Sequence, residues 1–211
     1  MASSKINSIG LFIDGGYYMK INEALANRKE NRMRLNLHNL INYVRKCVSE
    51  HYEVAKEDCL VTESHYFQGR YRARNITNKK QFEDDRYFED KLIEEDVVLH
   101  FKHIQDVPSD ADPTKTVVRE KGIDVWFALE TFELSMYRDF DFVVLITGDT
   151  DHEMLARKIK ALKKQVILLT WTLDDKTKSG KYLREEVTYH IDLATIVKED
   201  NSVVISFADY I

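Results

Sequence analysis

The sequence predicts an α/β fold, a three-layer α/β/α sandwich with a mainly parallel central sheet. Three observations predict it. Apolar runs at residues 9–13, 143–146 and 166–170 are too continuous for strands with a wet face, so they read as strands buried on both sides. Segments with helical periodicity alternate with these runs, as crossover connections between parallel strands require. Two of the runs end abruptly in glycine and acid, Asp14-Gly15-Gly16 and Gly148-Asp149-Thr150-Asp151. Acids leaving buried strands in this way lie in the crevice where open α/β sheets bind ligands.

Taken in order, the first strand covers about residues 8–13. A helix follows later, with Leu37, Leu40, Ile41, Val44 and Val48 at three- to four-residue spacing. Residues 60–69 read as a second strand and 83–94 as a charged helix whose buried side is Phe88, Leu92 and Ile93. Residues 97–104 form a third strand. Residues 106–116 hold both prolines, Pro108 and Pro113, with Ser109 and three aspartates, and are expected to bulge at the surface. A helix over 121–136 is expected to turn a stripe of Val125, Leu129 and Phe132 inward. A strand at 142–146, a helix at 153–164 and a fifth buried strand at 166–170 follow. Residues 174–180 form a polar, lysine-bearing loop, 191–197 a short helix, and 203–207 an edge strand. No internal repeat, low-complexity tract or linker interrupts this order. A single domain over 1–211 is expected, with its core at about 8–195 and a C-terminal extension at 196–211.

The bulk numbers narrow the function. The chain has 211 residues, 44% of them hydrophobic, enough for an ordinary core. Its net charge of −5 argues against a polycation that coats nucleic acid, although local basic patches can still face phosphates. Two cysteines, Cys47 and Cys59, make neither a disulfide framework nor a zinc motif. The N-terminus lacks the apolar core of a signal peptide, and no run reaches membrane-spanning length. A cytoplasmic protein with no membrane partner is expected. A homo-oligomer stays open, because the apolar tail 203–211 could pair with another chain or cover an edge of its own sheet.

The acids carry the chemistry. Asp14, Asp149 and Asp151 converge on one sheet edge, and glycines 15, 16 and 148 let backbone approach a metal or phosphate closely. Hard carboxylate ligands suit Mg²⁺ or Mn²⁺. Asp124 sits in the first turn of its helix, and Glu130, six residues on, lies near the same side. Each acid also has a plain structural reading: Asp14, Asp149 and Asp151 as helix caps, Asp124 as a first-turn acid, Glu130 as a solvated residue. Their convergence weakens those readings, since packed carboxylates without a cation raise one another's proton affinity.

Three segments, 12–17 (Phe-Ile-Asp-Gly-Gly-Tyr), 121–125 (Lys-Gly-Ile-Asp-Val) and 145–151 (Leu-Ile-Thr-Gly-Asp-Thr-Asp), resemble the three motifs of NYN domains, the LabA-like branch of the PIN-like nuclease superfamily. The resemblance runs over roughly residues 8–195 and ends near Ile191-Asp192-Leu193. It implies a Rossmann-like, PIN-like sandwich and divalent-metal-dependent cleavage of RNA. Carried onto this chain, it makes Asp14, Asp124, Asp149 and Asp151 the metal-binding, catalytic acids and places Thr147 as the hydroxyl residue before Gly-Asp. Tyr17 stands where many members have Asn, Glu130 where many have Asp, and His152 where an aromatic residue is common.

Such chemistry needs an activated water, neutralised phosphate charge and a stabilised leaving oxygen. Asp14 and Asp149 are the expected core ligands, completed by Asp124 and Asp151. Lys121 and Thr147 are placed to meet substrate, and His152 to move a proton or tune water. Residues 66–74, with Arg70, Arg72 and Arg74 among tyrosines, are the expected RNA grip; a solvated basic loop is the plainer reading. The competing expectation is a catalytically weak module that binds RNA or a protein partner, favoured by Tyr17 and Glu130. The acids alone leave a DNA substrate open. Haloacid-dehalogenase and toprim patterns fail at Gly16 and Asp14, and no nucleotide-binding glycine motif is present.

Overall fold

The computed structural model describes residues 5–72, 79–109, 114 and 116–211. Six parallel strands form the central sheet in the order β4-β3-β1-β7-β8-β9. They are β1 (Asn7–Asp14), β3 (Cys59–Arg70), β4 (Val97–His103), β7 (Phe142–Ile146), β8 (Gln165–Thr170) and β9 (Tyr189–Asp192). Four of the five sequence-predicted core strands coincide with these within about one residue, and the first extends one residue further each way. Every residue of β7 is buried, as is β8 beyond Gln165, which is the burial expected when helices cover both faces.

One face carries α1 (Gly15–Ala26), α2 (Leu37–His51) and α7 (Leu193–Glu199). They close on Ile9, Leu11 and Ile13 of β1 and Val144 and Ile146 of β7. The charged helix α3 (Lys79–Glu94) adds Leu92 and Phe88 to that layer. The other face carries α4 (Ile123–Tyr137), α5 (Glu153–Ala161) and α6 (Lys181–Glu186). They pack on the alternate residues Phe12, Val143, Leu145, Val166 and Leu168. The expected three-layer sandwich is therefore present.

Chain order explains where a site can form. From β1 the chain moves outward to β3 and β4, then crosses back to β7 on the other side of β1. The carboxyl ends of β1 and β7 thus flank the point where the strand order reverses. At such a point the two flanking loops lead to opposite faces and leave a crevice.

Several elements differ from expectation. Glycine and a pair of tyrosines hide α1, which Asp14 initiates by accepting the Tyr17 N–H at 3.1 Å. The short β2 (Met33–Leu35) pairs antiparallel with β10 (Ala208–Tyr210), and residues 203–207 belong to a 3₁₀ turn (Asn201–Ser206) and the buried Phe207 before it. The expected edge strand lies slightly later and caps α1 and α2, not the main sheet. The surface loop 106–116 contains an antiparallel pair, β5 (Gln105–Pro108) with β6 (Thr116–Arg119). Its middle, 110–113 and 115, lies outside the described residues, as does Arg74 of the expected RNA grip. The short helix read at 191–197 splits into β9 and α7 at Asp192, whose carboxylate accepts the Ala194 N–H at 3.1 Å and starts the helix.

The largest correction concerns α4. Val125 and Leu129 are 62% and 64% exposed, while Ile123, Phe127, Thr131 and Ser135 face the sheet. The helix is apolar nearly all round, so two stripes compete and periodicity chose the outer one. The inner stripe holds two hydroxyls, of which Ser135 donates to the Thr131 carbonyl at 2.6 Å. Ile93 likewise is 60% exposed, whereas Leu92 beside it is fully buried.

Candidate active site

The crevice is organised around one hydroxyl. Thr147, fully buried at the end of β7, donates to Asp14 Oδ2 at 3.1 Å. It accepts the Asp149 N–H at 3.2 Å and lies 3.1 Å from His152 Nδ1. A hydroxyl has one proton, here directed to Asp14, so His152 Nδ1 must carry its own proton and donate it to Thr147. The other ring nitrogen of His152, Nε2, is buried with no partner among the described residues, and the ring leans on Phe127 at 4.6 Å between centroids.

Asp14 is therefore held at both oxygens, Oδ1 by the Tyr17 N–H and Oδ2 by Thr147. Burial pushes its carboxyl above the ordinary range, and nearby Asp124 adds to this; the Tyr17 N–H, His152 and Thr147 pull the other way. Asp149 accepts the Asp151 N–H at 3.0 Å and starts the 3₁₀ turn Thr150–His152. Both acids thus cap a helical turn at the edge of the crevice. Asp151 and Asp124 are exposed. Asp124 follows Gly122, whose φ of 77° is the left-handed conformation that lets the chain turn sharply into α4.

Glu120 is the acid that sequence reasoning missed. It accepts the Gly69 N–H at 2.7 Å, bridging from the segment before α4 to the end of β3. Although the residue as a whole is exposed, burial of its carboxyl pushes its pKa up, against the pull of the Gly69 N–H. The charges of Asp124 and Asp14 raise it further, while Lys20 opposes them. The signal was its place immediately before Lys121-Gly122-Ile123-Asp124. Lys20 and Lys102, the latter with Nζ close to Gly122, also escaped notice as cations of this edge.

Other expected residues make different contacts. Glu130 accepts the Trp126 indole N–H at 3.1 Å, and its charge acts on His65 and His100, away from Asp14. Arg70 is bound to both oxygens of Glu89 at 3.0 Å and lies over the Phe101 ring. Arg72 and Lys121 are exposed. Tyr17 is buried; its hydroxyl donates to the Thr177 carbonyl at 2.9 Å and accepts the Trp171 N–H at 3.1 Å. It pins the loop after β8 to α1, and its ring occupies the space over Gly148, where an added Cβ would come within 2.5 Å.

The carboxylates suit a hard divalent ion in kind. They stand open: among the described residues no three Asp, Glu, His or Cys side chains are gathered closely enough to hold one.

With this geometry in view, comparison with known proteins is decisive at the level of family. The NYN domain model matches residues 8–194. The chain belongs to the NYN domain family. NYN domains fall within the PIN-like nuclease superfamily, so a nuclease-like protein directed at nucleic acid is the coarse conclusion. A solved structure of a Vibrio parahaemolyticus protein of unknown function is similar over 92% of this chain and 96% of that one, with a TM-score of 0.57 and 18% identity. At that identity the likeness shows the NYN fold alone. No curated protein matches the chain. No helix among the described residues is long and apolar enough to cross a membrane.

Proposed function

We propose that the protein is a divalent-metal-dependent ribonuclease of the LabA-like branch, working as a single domain within the cytoplasm. The observation that carries this reading is the Asp14–Thr147–His152 chain at the switch between β1 and β7, in a family of nuclease type. A buried carboxylate held at both oxygens, with further acids beside it, is costly for stability and useful for chemistry.

Asp14, Asp124 and Asp149 are the residues that would hold Mg²⁺ or Mn²⁺, with Asp151 acting through water and Glu120 joining from the β3 side. Such an ion supplies neutralisation of phosphate charge and activation of water. Thr147 fixes the carboxylate plane of Asp14. His152, through Nδ1, holds the Thr147 hydroxyl in its orientation toward Asp14. Lys121, with Lys20 and Lys102, lines the approach for phosphate. Arg72 is free to follow the RNA backbone, whereas Arg70 serves the wall beside it.

The test is cleavage of labelled single-stranded RNA, structured RNA and DNA, without metal and then with Mg²⁺ or Mn²⁺. Asp149→Asn serves as control. Metal-dependent RNA cleavage lost in the variant is expected; full cleavage by the variant would place the chemistry elsewhere. The open spacing of the acids favours a second reading, a weakly catalytic module that binds RNA or a protein partner. Mn²⁺ binding without turnover of any substrate would select it.

A further inference from the structure

Beside the acids lies a cavity of about 300 Å³ between α1, the ends of β3 and β4, and α3. Its floor is apolar, made by Leu35, Phe88 and Phe101. Glu120 and Gly69 form its boundary with the candidate active site, through the 2.7 Å hydrogen bond already described. The size is at the lower end of small-ligand pockets and suits one flat ring system.

Its charge is informative. Four carboxylates line it, those of Asp84, Asp85, Glu89 and Glu120, against two guanidiniums, Arg34 and Arg70. Glu89 takes the charge of Arg70 and Arg86. Asp85 has no ion pair or hydrogen bond among the described residues; burial raises its proton affinity and Asp84 adds to this, while the charge of Arg70 opposes them. A phosphate would be repelled here. A group offering N–H donors on an aromatic ring would be accepted. At the mouth stands Tyr71, 38% exposed, with no ring partner among the described residues, and the Arg70 plane lies over Phe101 within the wall. Tyrosine faces and arginine planes are the surfaces on which unpaired bases stack.

We infer that this cavity receives one unstacked nucleobase of the substrate, stacked on Tyr71, with Asp85 accepting from an exocyclic amino group. The inference rests on the RNA reading above. It makes the protein a reader of amino-bearing bases: adenine, cytosine and guanine offer such a group, and uracil does not. The phosphodiester next to the bound base would then lie across Glu120 at the acids.

Fluorescence anisotropy with labelled five-nucleotide homopolymers of A, C, G and U tests this without requiring turnover. At least one amino-bearing homopolymer should bind roughly 10-fold tighter than U, matching the 1–3 kcal/mol of a good base contact. Asp85→Asn should reduce that preference, and Tyr71→Ala should weaken every homopolymer by a similar factor, with thermal melting confirming the fold of each. Equal binding of all four, or an unchanged preference in Asp85→Asn, overturns the pocket. The cleavage panel stands apart from this result. Cleavage without base preference would leave the nuclease and remove the pocket. Preference without cleavage would keep the pocket and remove the nuclease.

Discussion

The smallest unit that matters is the Thr147 hydroxyl. Thr147→Val keeps the shape but strips Asp14 of a donor and leaves the His152 Nδ1–H and the Asp149 N–H without an acceptor. Supporting contacts of this kind cost about 10- to 100-fold when removed. Cleavage by Thr147→Val should fall by that range under single-turnover conditions, while circular dichroism remains native. Tyr17 makes a structural counterpart. Tyr17→Phe leaves the Thr177 carbonyl and the Trp171 N–H unpaired in the interior and should destabilise by about 1–3 kcal/mol in urea denaturation. The placement of Asp14 and Asp149 at this edge of the sheet was legible because each lies at or just past the end of a buried strand. The ion pair of Arg70 was not legible because its partner, Glu89, is 19 residues away on α3, and sequence shows charge without showing who neutralises it. Glu120 escaped although it stands immediately before Lys121-Gly122-Ile123-Asp124, because sequence does not show that the end of β3 brings the Gly69 N–H to it.

At the scale of elements, α4 rests on a pair of histidines. His65 on β3 and His100 on β4 are 3.1 Å apart, stacked on Phe12 and Phe67 respectively, with the edge of Trp126 against His100. Burial lowers the pKa of both; Glu63 and Glu130 oppose this at His65, while at His100 the neighbouring His65 lowers it further and Glu130 opposes. The sign follows. The fold prefers both rings neutral, so their contribution is complete above the unfolded value of about 6.5 and is lost as pH falls below it. Melting temperature should be flat from pH 8 to 7 and decline from about 6.5 downward, with His100→Gln giving a shallower decline. An equal slope in that variant would move the effect to other groups. The same helix shows the limit of periodicity. Sequence revealed that 123–137 is helical, but a helix with apolar residues on every side does not announce which stripe the sheet will take.

Across the whole molecule, a mainly parallel sheet with crossover helices could be anticipated from buried runs alternating with helices, while the strand order and short pairings such as β2 with β10 could not. Three residues carry too little pattern, and their partner lies at the other end of the chain. That distant pairing is not ornamental. Phe207 is fully buried against Tyr43 and Trp171, and the Asn36 N–H donates to its carbonyl at 3.0 Å. Phe207→Ala should cost about 3–5 kcal/mol, read from the shift in denaturation midpoint. The position of β1 has a consequence in time. It is the second strand out from neither edge but the hinge of the sheet, paired on one side with β3 and on the other with β7, and Asp14 meets Thr147 across 133 positions of chain. On a ribosome the first acid emerges early and waits through most of translation for the strand that completes its surroundings. A nascent chain therefore carries Asp14 on β1 well before β7 delivers the Thr147 hydroxyl that holds it.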